Sequence, residues 1–133
     1  MDMQYEGQYK NEKKQGYGKL TILDNFFYEG NFMDDKMEGR GCKIWIKEYK
    51  KYEGNFKNNL PHGKGTLTYA NGDIYVGDFK NGEPEGEGIF RSSSIIYEGE
   101  FQKGTFHGKG ISINKIQNNI SKVSCVDGKM CIT

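Results

Sequence analysis

Gly63-Lys64-Gly65 and Gly108-Lys109-Gly110 each set a lysine between two glycines, as phosphate-wrapping loops do. A phosphate loop, however, needs four residues between its glycines, then Lys and Ser or Thr opening a helix. Neither segment continues that way. His62 and His107 occupy equivalent places in the chain, 45 residues apart. If paired strands separate them, they stand roughly 19 Å from each other, too far for one metal or one catalytic pair. Cys125 and Cys131 lack the close spacing of zinc ligands and have no second pair. An Asp127-Gly128 turn would hold these two thiols near each other without making a site. Glu6, Glu29, Glu53 and Glu98 recur at regular intervals, which reads as a solvated column of charge. No Ser/His/Asp or Cys/His set stands out. The expectation is a protein with no catalytic residues, no metal and no cofactor.

Charge narrows the partners. Lys and Arg number 19 against 18 Asp and Glu in 133 residues. That balance argues against nucleic acid, which demands a basic face. The densest basic cluster is Lys43, Lys47, Lys50 and Lys51, a candidate for anionic lipid. Residues 28–51 nevertheless carry six basic against five acidic residues, so membrane attachment is the weaker reading. The opening Met1-Asp2-Met3-Gln4-Tyr5 has neither a basic nor an apolar leader region, and no apolar run approaches a membrane span. Three cysteines, an odd count, then suggest reduced thiols and a cytoplasmic setting.

Self-similarity explains the rest of the composition. Tyr5-Glu6-Gly7-Gln8-Tyr9 returns as Tyr28-Glu29-Gly30-Asn31-Phe32 and Tyr52-Glu53-Gly54-Asn55-Phe56. It returns again as Tyr75-Val76-Gly77-Asp78-Phe79 and Tyr97-Glu98-Gly99-Glu100-Phe101. The leading tyrosines are 23, 24, 23 and 22 residues apart. Eleven residues after each comes Gly-x-Gly, at 16/18, 39/41, 63/65, 86/88 and 108/110. These motifs hold 15 of the 19 glycines, so glycine here has a position and is not a mark of disorder. Each unit reads as a β-hairpin. Strand side chains alternate, so the tyrosine, the glycine and the second aromatic share a face. Rings then lie opposite bare glycines, whose missing Cβ lets them approach the backbone. The ladder residues are Tyr5, Tyr9, Tyr28, Phe32, Tyr52, Phe56, Tyr75, Phe79, Tyr97 and Phe101, expected to stack in two columns. Pro61 and Pro84 fall in the six residues between the two motifs, a placement that keeps proline out of the ladder.

These residues resemble the MORN repeat (membrane occupation and recognition nexus): Tyr-x-Gly-x-aromatic, then His-Gly-x-Gly, then a turn. The histidine stands only at His62 and His107; Gln15, Glu38 and Glu85 replace it elsewhere. Repeat two replaces the Asn-Gly turn with Glu48-Tyr49-Lys50-Lys51 and is one residue longer, and repeat four has Ser92-Ser93-Ser94 there. The resemblance implies an all-β chain, one elongated antiparallel sheet of stacked hairpins, acting as a scaffold that often self-associates. It also implies places such as cytoskeletal or ciliary assemblies. The repeats divide the chain at about 5–27, 28–51, 52–74, 75–96 and 97–119.

Residues 120–133 are left as a C-terminal cap. Ile113, Ile116, Ile120 and Val123 have helical spacing, whereas Asp127-Gly128 signals a degenerate sixth hairpin. Alternation places Ile44, Ile46, Ile74, Val76, Ile89 and Ile96 on the face away from the rings, with Ile111 and Ile113. A purely solvated face would not carry so much branched apolar surface. The tail is expected to cover part of it and protein partners the rest. Unpaired outer strands offer a further route to partners or to a second copy. The function expected is a non-enzymatic scaffold or adaptor, with a membrane adaptor as the alternative.

Overall fold

The structure, a computed structural model, describes residues 2–133. The strands are β1 (Met3–Lys10), β2 (Lys13–Ile22), β3 (Phe26–Met33), β4 (Lys36–Trp45), β5 (Lys50–Lys57) and β6 (Leu60–Thr68). They continue as β7 (Ile74–Lys80), β8 (Glu83–Arg91), β9 (Ile95–Gln102), β10 (Thr105–Asn114), β11 (Asn119–Val126) and β12 (Lys129–Ile132). Every strand pairs antiparallel with the one before it, and the order across the single sheet is chain order. The fold is the all-β ribbon that the repeats imply, with no helix among the described residues.

The tail corrects the expectation of a helical or irregular cap. β11 runs against β10 from Gly108↔Cys125 to Asn114↔Asn119, and β12 folds back with Val123↔Ile132. A helix would leave the outer N–H and C=O groups of β10 without protein partners; a strand pairs them. Asp127 (φ 49°) and Gly128 (φ 83°) make the turn. The tail therefore lengthens the sheet and does not fold across its apolar face.

Hairpin tips are tighter than the motif spacing suggests. Only two residues turn in each: Asn11-Glu12, Asp34-Asp35, Asn58-Asn59, Asn81-Gly82, Lys103-Gly104 and Asp127-Gly128. The first has φ of 49–53° and the second 67–91°. Positive φ at both places is the turn whose twist matches paired strands. Pro61 and Pro84 consequently lie inside β6 and β8, opposite Phe56 and Phe79, and not in a connection. Their carbonyls face the next hairpin and accept the N–H of Gly82 (2.9 Å) and Gly104 (3.0 Å). At the same place Lys14 and Met37 donate their N–H to Asp35 Oδ1 (2.7 Å) and Asn59 Oδ1 (2.9 Å). Where proline removes that donor, the opposing turn residue is a glycine with no acceptor to offer.

The two glycines of Gly-x-Gly serve different needs. Gly54 faces Gly65, yet Phe56 faces Pro61, so β6 carries two extra residues in a bulge. Gly63 sits in it at φ 83°, where a residue with a Cβ would be strained by about 1–2 kcal/mol. Gly65 has no such angle. A Cβ there would stand 2.5 Å from Cζ of Tyr52, so the demand is for space. The repeat pattern alone assigned both glycines to the rings.

Candidate functional site

The ring face is organised by a row of glycines. Gly7, Gly18, Gly30, Gly41, Gly54, Gly65, Gly77, Gly88, Gly99 and Gly110 are register partners in succession across β1–β10. Val123 takes the next place. Each leading tyrosine reaches over the glycines of its own hairpin. Its hydroxyl donates to the carbonyl three residues on: Tyr5 to Gln8, Tyr28 to Asn31 and Tyr52 to Asn55 at 2.7 Å, Tyr75 to Asp78 at 2.8 Å, Tyr97 to Glu100 at 3.0 Å. The buried hydroxyl thus keeps a partner, as a buried polar group must.

The leading tyrosines keep one register row and the second aromatics another, and edge-to-face contacts interlock the two rows. Tyr28 meets Phe32 of its own repeat at 5.0 Å and Phe56 of the next at 5.1 Å, both edge to face. Tyr52 repeats this with Phe56 and Phe79, and Tyr75 with Phe79 and Phe101. Tyr28, Tyr52, Tyr75, Tyr97 and the four phenylalanines of the ladder are buried. Tyr5 is half-buried and Tyr9, on the outer strand, is exposed. Burial pushes the Tyr52 hydroxyl up to about 12 and raises Tyr28, Tyr75 and Tyr97 as well. At the far end no sixth ring follows. Cys125 stands opposite Gly108 where an aromatic stands in other repeats, and Phe106 closes on Tyr97 at 4.5 Å. Cys125 is buried on this face while Cys131, paired with Ser124, points to the other, so the two thiols are not brought together.

In three of the five repeats the residue before Gly-x-Gly caps the following turn. Oε1 of Gln15 accepts the Asp34 N–H (3.2 Å), Glu38 that of Asn58 (3.1 Å) and Glu85 that of Lys103 (3.0 Å). Among the described residues His62 and His107 make no such bond, and Nδ1 of His107 is buried without a partner. Both histidines lie on strands, β6 and β10, in separate hairpins.

The four candidate lipid-binding lysines do not share a surface. Lys43 pairs with Tyr28 and Tyr52 and faces the rings, and Lys50, opposite Trp45, does the same. Lys43 Nζ lies 4.2 Å from the Phe26 ring centroid and 4.9 Å from that of Trp45; Lys50 Nζ lies 4.8 Å from Trp45. Lys51 faces the other way and pairs with Glu53 at 3.0 Å. Lys47 sits in the turn after β4. At about 1 kcal/mol per basic residue near an anionic bilayer, Lys43 and Lys50 on the one face are a weak attachment.

The outer face carries the branched apolar residues. Val76 pairs with Ile89, and Ile113 lies between Ile96 and Ile120 in one register row. Ile74 stands opposite Arg91 on the same face. Ile44, Ile46, Val76, Ile111 and Ile120 are exposed, whereas Ile74, Ile89 and Ile96 are half-buried. Nothing in the tail covers them. Sequence reading missed the Trp45–Lys43–Lys50 grouping; the signal was a lysine at 43, where the second strand carries Leu20 and Leu67 in other repeats.

One comparison with known proteins bears on this geometry. The model of the MORN repeat matches the chain five times, over residues 5–23, 28–47, 52–74, 75–94 and 97–113. Each match starts at a leading tyrosine of the ladder and takes in its glycine pair. The five spans together cover well over half of the chain, and β11–β12 continues the same sheet beyond the last. By its repeats, its glycine row and its five matches, the chain belongs to the MORN-repeat family.

Proposed function

We propose that this chain is a non-enzymatic scaffold that binds other proteins, and that it works in the cytoplasm within a cytoskeletal or ciliary assembly. MORN repeats are known in scaffolds that bind proteins or membranes. The observation that carries the protein-binding reading is the outer face of β7–β11. There Val76 pairs with Ile89, Ile96 and Ile120 flank Ile113, and Ile111 lies beyond Glu98 in the row of Ile89, on a ribbon with no second layer among the described residues. Exposed branched residues grouped on an open sheet face mark an interaction site. The outer strand β1, eight residues long with one neighbour, adds a route to self-association.

The test is a paired substitution, Val76→Lys with Ile111→Lys, on the outer face. Proximity labelling in the native cell and pull-down from it should identify partners for the natural chain and lose them for the variant. Circular dichroism should stay unchanged. Partners retained in full by the variant would overturn the reading.

A further inference from the structure

Repeat two breaks the apolar pattern of the ring face at two places. Lys43 stands between Tyr28 and Tyr52, where Leu20, Leu67 and Phe90 stand between their own tyrosines and only Ser112 is also polar. Lys50 precedes its tyrosine by two, the position of Met3, Phe26 and Ile95, with Asp73 the other charged residue there. The fold accepts leucine and isoleucine at these places, so stability does not call for lysine. Both ammonium groups converge on one indole, Trp45. Neither has a carboxylate within ion-pair distance among the described residues, where the pairs are Lys14–Asp35, Lys51–Glu53 and Lys64–Asp78. Burial and the neighbouring Lys50 charge hold the Lys43 ammonium below the usual lysine range. Two like charges are thus drawn together on a partly desolvated face and left without a counter-charge.

A cleft of about 500 Å³ adjoins them, between the turn at Ile46–Tyr49 and the turn at Ala70–Gly72. Trp45, Ile46, Tyr49 and Tyr69 give it apolar walls, and Lys50 and Lys51 both line it, Lys51 being paired with Glu53. The extra residue of repeat two shapes it. Tyr49 is held at φ 56°, unusual for a bulky side chain, and is 79% exposed. We propose that Lys43, Trp45, Lys50 and this cleft bind a short acidic segment of a protein partner, its carboxylates on the two ammonium groups and an apolar side chain between the turns. Charge complementarity selects the anion. The recess at the strand ends, sized for a side chain, selects a peptide over a planar bilayer, which cannot enter between the two turns. The proposal rests on the protein-binding reading above and adds the chemistry of one partner.

Trp45 is the only tryptophan, so its emission reports on this site alone. A random phage-displayed peptide library is panned on the full chain, and enriched sequences are synthesised and titrated against Trp45 fluorescence. Enriched peptides should carry two or more Asp or Glu beside an aliphatic or aromatic residue, and their binding should weaken as salt rises. Lys43→Leu and Lys50→Ile, which install residues found at the same places in other repeats, should each weaken binding about tenfold or more. Lys122→Gln, distant on β11, should leave it unchanged. The proposal falls if no acidic peptides are enriched, or if both variants bind as the natural chain does. It falls equally if phosphatidylserine vesicles move Trp45 emission with the same lysine dependence. A cellular partner retained by the double variant but lost with Val76→Lys/Ile111→Lys would sink this site and leave the scaffold reading standing.

Discussion

The ring of Tyr97 occupies the space into which a side chain at Gly110 would grow: a Cβ there would lie 2.5 Å from Cε2 and 2.6 Å from Cζ. The same conflict recurs at Gly18, Gly41, Gly65 and Gly88, each under the tyrosine of its own hairpin. Gly65→Ala should therefore destabilise the chain by roughly 2–3 kcal/mol, as overpacking does, in urea unfolding. Gly65→Asn should be no better. Gly63 behaves differently, because its nearest neighbours to a Cβ are 3.7 Å away and only its φ of 83° is demanding. Gly63→Ala should cost about 1–2 kcal/mol, and Gly63→Asn clearly less, since asparagine tolerates that conformation. Equal penalties for asparagine at 63 and 65 would refute the two-reason account.

Proline and turn residue should prove coupled. Met37 N–H is capped by Asn59 Oδ1, whereas Pro61 faces Gly82 and Pro84 faces Gly104. Asn59→Gly removes a cap and leaves a donor; Met37→Pro removes the donor and strands an acceptor. The double variant rebuilds the pairing that repeats three and four already use. A double-mutant cycle in urea should give a favourable coupling on the order of 1 kcal/mol. Strict additivity would show that the cap at Met37 has no energetic weight.

How much of this was legible in the sequence follows from which interactions repeat. The tyrosine, the glycine under it and the second aromatic recur five times at one spacing, so the sheet and the ring face could be read directly, whereas the bulge that sets the register within each hairpin could not. The two-residue turns could not all be read, because Asn11-Glu12 and Asp34-Asp35 lack the glycine that marks Asn81-Gly82. The tail was ambiguous because Ser121, Val123 and Cys125 replace the tyrosine, glycine and aromatic of the motif, leaving Asp127-Gly128 as the one local signal. Lys43, Lys47, Lys50 and Lys51 looked like a patch because linear proximity ignores alternation; in a strand, Lys50 and Lys51 face opposite sides. Alternation predicted the outward side for Ile44, Ile74, Val76, Ile89 and Ile96, which lie on strands, whereas Ile46 falls in the turn after β4; whether the tail covers them depends on pairing that hydrophobic spacing does not encode.

Alkaline pH should unfold the chain cooperatively. Tyrosine in an unfolded chain ionises near pH 10, while burial holds Tyr52 to about 12 and raises Tyr28, Tyr75 and Tyr97. A folded value above the unfolded one favours the protonated, folded state. The stabilisation is complete below about pH 10 and is lost as pH rises through the folded value. The melting temperature should be flat with respect to these groups up to about pH 9 and then drop steeply. Phenolate absorbance of the buried tyrosines should appear together with the loss of strand signal. Phenolate absorbance appearing in full while the strand signal persists would contradict a sealed ladder.

Removing residues 119–133 should turn a closed end into an adhesive one. The deletion strips Val123 and Cys125 from the ring face beside Gly110 and Gly108, and it uncovers Tyr97, Phe101 and Phe106 near the new end. It also frees the outer N–H and C=O groups of β10, a strand of 10 residues, in place of β12, a strand of 4. A long edge flanked by exposed aromatic surface recruits another strand, whereas a short edge headed by a charge such as Lys129 resists one. The shortened chain should melt at lower temperature and elute as a dimer or larger species in light-scattering chromatography, with the full chain smaller at equal concentration. Monomeric behaviour of the shortened chain at an unchanged melting temperature would mean that the sixth hairpin protects nothing, and that the ladder ends of its own accord at Tyr97.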